Sequence, residues 1–413
     1  MIGGGIFTVL GISVSIIGVF TPLAFAIGGI LALLAAYSYI KLGVYFKDEG
    51  ATYSFFKKTF TSSPFSASLI GWWVIFGYIS TLALYAYTFA SYAISSFEFA
   101  NNELIRKAVA GAIILVFTLI NVWSVKGMGR IEDLMVYTKL IILTVISFVL
   151  MNHSHTTIPT LLQSNEEISF FSIIIVASLT FVAFEGFQLV INAVNEMETP
   201  EINIPKAIYS AIVLAILIYV ILAIGAIVAI PFDDIIQNQE YALAAGADKI
   251  LGHWGSDFVV AGALLATSSA ISGTIFGASR QVTVIAQDGY FPSFLAKRKN
   301  NIPVYAILMM STLAFMLIIA GSLKVILEFG SVTFLLVSFL MAFANFKIRK
   351  ETDSSLTITL LAMFGLLMGT AFIIYYEATT QIEQLYFIVA IYTLLTLGAW
   401  LFSLMHKRSL KSL

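Results

Sequence analysis

Phe181-Val182-Ala183-Phe184-Glu185-Gly186-Phe187 places an ionisable carboxyl beside a glycine in the middle of an apolar run that extends from 169 to 193. A carboxyl at membrane depth is costly and is usually kept for function. The glycine weakens a helix by about 1 kcal/mol relative to alanine, so the stretch reads as a break in a membrane helix. A second weak point opens the chain, at Ile2-Gly3-Gly4-Gly5-Ile6-Phe7. Interrupted helices offer backbone groups and half-helix dipoles in the middle of an apolar slab, which a protein that binds a polar solute there requires. Free N–H groups at the start of the helix that follows the glycines suit a carboxylate. The bland alternative is that the glycines are close-packing contacts between helices; a triple glycine coupled to a midspan Glu-Gly at a corresponding position favours the break.

The rest of the chain fits a membrane setting. Of its 413 residues, 59% are hydrophobic and 11% charged, against about 45–50% and about 25% in soluble domains. Apolar runs recur near 22–45, 68–97, 105–124, 133–151, 169–193, 206–230, 255–285, 302–320, 328–346, 356–376 and 384–405, after a short first piece, 1–17. They are continuous, which predicts helices and not the alternating strands of a barrel. One lipid-embedded domain is therefore expected over 1–413, with two five-helix units at 1–151 and 169–346 and two additional helices at 356–405. The break positions in the first helix of each unit fit an inverted repeat; the correspondence lies in hydropathy and not in residue identity.

A net charge of -1 leaves no basic face for nucleic acid. The absence of cysteine excludes disulfides and thiolate chemistry, and the four histidines, His153, His155, His253 and His406, lie outside the apolar runs with no HExxH pairing. No metal or other cofactor is expected. Lysine and arginine concentrate in the loops at one end, around Lys41 to Lys58, Lys126 and Arg130, Lys206, Arg280 to Lys299, Lys347 to Lys350 and the C-terminus; the other end carries Arg106, Lys107, Lys249 and Lys324. The positive-inside bias makes the first end, with the C-terminus, cytoplasmic in a multi-pass cell-membrane protein. Trp72, Trp73, Trp123 and Trp254 fall near span ends, where an aromatic belt would place them. Piece 1–17 is too short to cross about 30 Å and reads as the outer half of a broken helix; a cleaved signal peptide is disfavoured by the lack of a basic leader.

Lys139 is the one lysine or arginine well inside a span. Burial lowers a lysine's proton affinity, so it can take up and release a proton or act as a fixed cation; the alternative is snorkelling to the headgroups.

With these residues in view, the chain resembles the amino acid-polyamine-organocation superfamily of amino acid permeases along essentially its whole length. Ile2 to Phe7 is similar to that family's I-G-[AG]-G-I-F on helix 1, and Glu49-Gly50-Ala51-Thr52-Tyr53 to its G-G-x-Y segment. Phe184-Glu185-Gly186-Phe187 with Asn192, Glu196, Pro200, Pro205 and Ala207 resembles F-E-G-F...N...E...P...P-x-A. Ala278-Ser279-Arg280 with Asp288-Gly289 and Pro292 resembles A-S-R...D-G-x-P. The resemblance implies an all-α, leucine-transporter-like bundle of about twelve helices, ten of them in a 5+5 inverted repeat. It also implies that a substrate carboxylate meets N–H groups at Gly4, Gly5 and Ile6, and an α-amino group the carbonyls around Val182, Ala183 and Glu185. Lys139 falls where proton-coupled relatives carry a lysine in place of a sodium site, with Ser268 and Ser269 as candidate neighbours or, alternatively, packing residues. Relatives have a further half-helix before the glycines, whereas here Met1 abuts them; a reading frame that starts late is the expectation.

The expected function is proton-coupled uptake of amino acids by alternating access, with amino acid, protons and lipid as partners. Substrate-binding candidates are Ile2, Gly3, Gly4, Gly5, Ile6, Phe181, Val182, Ala183, Phe184, Glu185 and Gly186. From the third span Ile75 and Ile79, with Phe76, would favour a small or apolar side chain. Proton-coupling candidates are Lys139, Glu185, Ser268 and Ser269, and Phe181 and Phe184 are expected either to close over substrate or simply to pack. An exchanger of the same fold is the nearest rival. An intramembrane enzyme lacks a catalytic constellation at one depth, and a channel lacks a filter or charged ring.

Overall fold

A computed structural model describes residues 2–123, 125–154, 156–158, 160 and 168–411, the side chains of 125–133, 196 and 406–411 excepted. Met1 and His155 thus lie outside what is described, as do the side chains of Lys126, Arg130, Glu196 and His406. The described chain is helical, with one isolated bridge between Lys299 and Ile302.

Helix α1 spans Gly4–Ile17, followed through a short 3-10 turn by α2 (Thr21–Phe46), and α3 (Ala51–Thr59) leads to α4 (Pro64–Ala93). Helices α5 (Glu103–Trp123) and α6 (Val125–Asn152) complete the first half. Helix α7 (Phe170–Thr180) runs into a 3-10 turn, Phe181–Phe184, and resumes as 3-10 helix Phe187–Glu196. Then come α8 (Pro200–Ala229), the short α9 (Phe232–Gln237) and α10 (Ala242–Leu251), and α11 (His253–Gln287). Helices α12 (Val304–Ala320), α13 (Leu323–Lys347), α14 (Leu356–Thr380) and α15 (Ile382–Lys411) end the chain.

Among the described residues, ten helical stretches, with Gly4–Phe46 counted as one, are long and apolar enough to cross a membrane, and Val304–Ala320 is a shorter apolar helix. The bundle is an all-α, multi-pass membrane protein, as the apolar runs predict. Starts are set by local chemistry: Pro64 opens α4 with Ser63 Oγ accepting from Ser66 N at 3.3 Å, and Ser322 Oγ accepts from Val325 N at 3.4 Å at the head of α13. These caps explain why α4 begins before residue 68 and α13 before 328.

Helices α13 and α4 are the most enclosed, with 83% and 78% of their apolar stretches buried, whereas α15 at 22% forms a rim. On α6 the exposed residues Leu134, Tyr137, Ile141, Val145 and Phe148 recur at helical spacing, an apolar stripe that suits lipid and would be aberrant against water. Trp123 and Trp254 stand exposed at helix ends as expected. Trp72 departs from that expectation: its indole N–H donates to Tyr290 O at 3.0 Å and its ring packs between Phe76 and Phe291. It ties α4 to the segment after α11.

Candidate functional site

The two weak stretches meet. Gly3 is extended and uncapped by any side chain, so α1 begins at Gly4 in the interior of the bundle. Across from it the second stretch leaves helical geometry at Glu185, whose ψ is 158°, and turns at Gly186, whose φ is +100°. Only glycine takes that φ without strain. A Cβ on Gly5 would lie 2.6 Å from Ala183 Cα, so the backbones touch where the side chain is missing. Close packing and helix interruption are therefore the same feature here.

The first amides of a helix have no carbonyl one turn back to bind, and at α1 they belong to Gly4, Gly5 and Ile6, all buried. Opposite, Tyr219 of α8 donates its hydroxyl to Ala183 O at 3.0 Å, leaving that carbonyl a second lone pair. Glu185 is buried; one carboxyl oxygen accepts from Gln188 Nε2, the other has no hydrogen-bond partner among the described residues, and Gln188 Oε1 in turn accepts from Gly186 N at 3.2 Å. The acid thus holds the break through Gln188.

Lys139 does not snorkel. Its side chain is 5% exposed, and Nζ donates to Ile2 O at 2.7 Å and to Ser269 Oγ at 2.8 Å. The ammonium joins α6, α11 and the residue that precedes the glycines. Ser269 is thus brought to Lys139, and Ser268, one position back on α11, is half-buried. Lys139 and Ser269 line a cavity of about 300 Å³ together with Tyr85, Gly186, Asn192 and Thr274. That is at the small end of the range for ligand sites, about 300–1,000 Å³.

The structure redirects the third-span residues. The α4 side chains that cover the glycines are Tyr85, against Gly3 and Gly4, and Thr88, against Gly4. Tyr92 donates to Phe7 O at 3.2 Å, and Thr88 bonds Thr8. Ile79 lines a different, apolar hollow with Trp72 and Phe76, and Ile75 is fully buried in the core. Rotation explains it: Ile79 sits about 120° around the helix from Tyr85 at 100° per residue. The signal that could have found the face turned to the glycines is Tyr78, Tyr85 and Tyr92, which recur every seven residues. Phe184 likewise packs, its ring 5.2 Å from that of Tyr219 and close to Gly29 of α2, rather than covering the cavity; Phe181 is fully buried.

The remaining motif segments assemble at the lysine-rich end. Gln281 Nε2 donates to Gly50 O at 3.2 Å, and Asp288 accepts from Tyr53 Oη at 2.8 Å and pairs with Lys57 at 2.7 Å. Asp48 accepts from Gly50 N at 2.8 Å and pairs with Lys58. Partial burial pushes the Asp48 carboxyl up, but Lys58 and the Gly50 amide outweigh it and hold it below its ordinary value.

The sequence that folds into this helical bundle with two interrupted helices matches the pattern of amino acid permeases over residues 1–399. The chain belongs to the amino acid permease family. Similar proteins include an uncharacterised protein of Methanocaldococcus jannaschii, 28% identical over all of this chain and 93% of its own length. The inner membrane transport protein YbaT of Escherichia coli is 29% identical over 91% of this chain and 86% of its own length. The branched-chain amino acid permease BcaP of Bacillus subtilis is 24% identical over 77% and 71%. Membership makes the permease a transporter rather than an enzyme, with amino acids as its class of substrate.

Proposed function

We propose that this permease takes up amino acids in symport with protons, by alternating access around the junction of Gly3–Gly5 with Val182–Gly186. The substrate carboxylate sits on the N–H groups of Gly4, Gly5 and Ile6, where the helix dipole favours negative charge. The α-amino group faces the carbonyls of Val182, Ala183 and Glu185. Tyr85 and Thr88 border the space left for the substrate side chain. Residues 1–151 and 169–346 act as inversely oriented repeats that rock about this site, with 356–405 packed outside them and the lysine-rich end in the cytoplasm.

The observation that carries the coupling is the bond from buried Lys139 Nζ to Ile2 O. Protonated, the lysine anchors the segment that leads into the glycines; on losing the proton it surrenders its charge and weakens that anchor. Proton release and movement of α1 are thereby linked. Glu185 is the second group in the reading able to hold a proton at this depth.

Uptake of a panel of labelled amino acids into proteoliposomes, with and without an imposed pH gradient, tests the proposal. Accumulation of at least one amino acid of the panel driven by an inward proton gradient is expected. Counterflow that survives collapse of the gradient, without net uptake, would make the protein an exchanger instead.

A further inference from the structure

At the end of the bundle away from the lysine-rich loops, two carboxyl groups are buried against each other. Glu328 lies near the start of α13 and Glu377 near the end of α14, and each is 0% exposed. They sit on neighbouring packed helices, with Lys324 of α13 reaching the hydroxyl of Tyr376 next to Glu377, and none of the four oxygens has a hydrogen-bond donor among the described residues. Ionised, each carboxylate can only accept, so neither can satisfy the other. Two anions in that position repel, and each has lost its water.

Lys324 cannot offset both charges. Its Nζ stands 3.7 Å from Glu328 Oε1, outside hydrogen-bond range, and is drawn to Tyr376, 3.4 Å from the hydroxyl and over the ring. Among the described residues, the other helices on α13 bring no further charge to the pair. Helix α4 meets it through Ser80, whose Oγ donates to Ile326 O at 2.7 Å; α15 contributes Tyr392, bonded to Thr333, while Glu383 at its start is exposed; α3 commits Lys57 to Asp288 and Lys58 to Asp48; α2, α7 and α12 present no ionisable side chain that acts on either acid.

We propose that Glu328 and Glu377 form a proton-binding site in which one shared proton fastens α13 to α14. With the proton present, one acid donates to the other and the pair becomes a short buried hydrogen bond; without it, the facing charges force the helices apart. The site is separate from Lys139 and does not depend on that residue's role. It is nevertheless close to the helix break: one turn further along α13, Ser331 Oγ donates to Leu179 O at 3.1 Å, and a Cβ on Gly330 would meet Val182 at 3.4 Å. The proton therefore sets how firmly the helix that backs the break is held, from the lysine-poor side of the membrane.

Infrared spectroscopy of the purified, lipid-reconstituted protein tests this. A protonated-carboxyl carbonyl band is expected at neutral pH, reduced in Glu328→Gln and in Glu377→Gln, because either amide can donate to the remaining carboxylate. Glu185→Gln identifies the share of the signal that comes from the other buried acid. The melting temperature of the wild type should fall as pH rises through release of the shared proton, and stay flat over that interval in the two variants. A band unchanged in both variants, or identical melting profiles, overturns the proposal. So does a metal cation that stabilises wild type but neither variant, which would make the pair a cation site. Should neither variant fold, the wild-type spectrum decides: no protonated-carboxyl band at neutral pH overturns it.

Discussion

Tyr219 on α8 donates its hydroxyl to the carbonyl oxygen of Ala183, 3.0 Å away, and so fixes from behind the one backbone position that α1 touches through Gly5. Tyr219→Phe removes that donor and leaves a buried carbonyl less satisfied, at a cost of about 1–3 kcal/mol. Substrate affinity should weaken roughly tenfold, as about 1.4 kcal/mol implies, with folded protein still obtained. Equal KM in wild type and variant would show that the position of Ala183 O is immaterial to binding.

Gly5→Ala and Gly3→Ala should both be harmful. The new methyl at Gly5 would meet Ala183 Cα at 2.6 Å and that at Gly3 would meet Ala270 Cβ at 2.7 Å. Neither atom can rotate away, and overpacking costs about 1–3 kcal/mol. Loss of uptake with a lowered melting temperature is the expected pattern in each; full uptake in either variant would show that its glycine is not the site of close approach.

Gly186→Ala forces a side chain into φ +100°. The strain is about 1–3 kcal/mol, and the resumed segment after the break should become misdirected. Thermal stability and uptake should fall together, whereas Gly365→Ala, against the Leu31 side chain, should be mild because that neighbour is a flexible tip.

Lys139→Gln keeps a donor for Ile2 O or Ser269 Oγ but removes the charge. Counterflow should persist while proton-driven accumulation disappears. A variant that still accumulates substrate on a pH gradient would rule out the lysine as the coupling group.

The Asp48 carboxyl is held low by Lys58 and the Gly50 amide against partial burial. A depressed folded value means the pairing is fully present above the ordinary carboxylate range, about pH 4, and is lost as pH falls through the folded value. Asp48→Asn should lower the melting temperature at neutral pH and narrow its difference from wild type toward acid pH. A difference constant with pH would mean that the charge contributes nothing there.

Sequence makes the helices legible because lipid imposes long apolar runs, while polar turns that apolarity does not mark extend their ends, as at the Ser63 and Ser322 caps and at the Pro200 start of α8. The break at Glu185-Gly186 is legible because a lone acid beside a glycine at mid-depth is too costly to sit in an unbroken helix facing lipid. Rotation is not. Which side of α4 faces α1 depends on what packs around it, so the sequence points to Ile79 whereas Tyr85 is the residue that packs on the glycines. Nor is the meeting of Glu328 with Glu377, since two acids on separate helices become neighbours only through the packing of α13 on α14. Lys139 stands out as a residue, and its partner Ser269 only as one of two adjacent serines.

A helix that opens on bare glycine has no side chain there for a point mutation to edit. If the part common to every amino acid is gripped by that main chain, changes at Tyr85 or Thr88 can alter the menu while the handle stays untouched, and homologues can diverge in diet faster than in architecture.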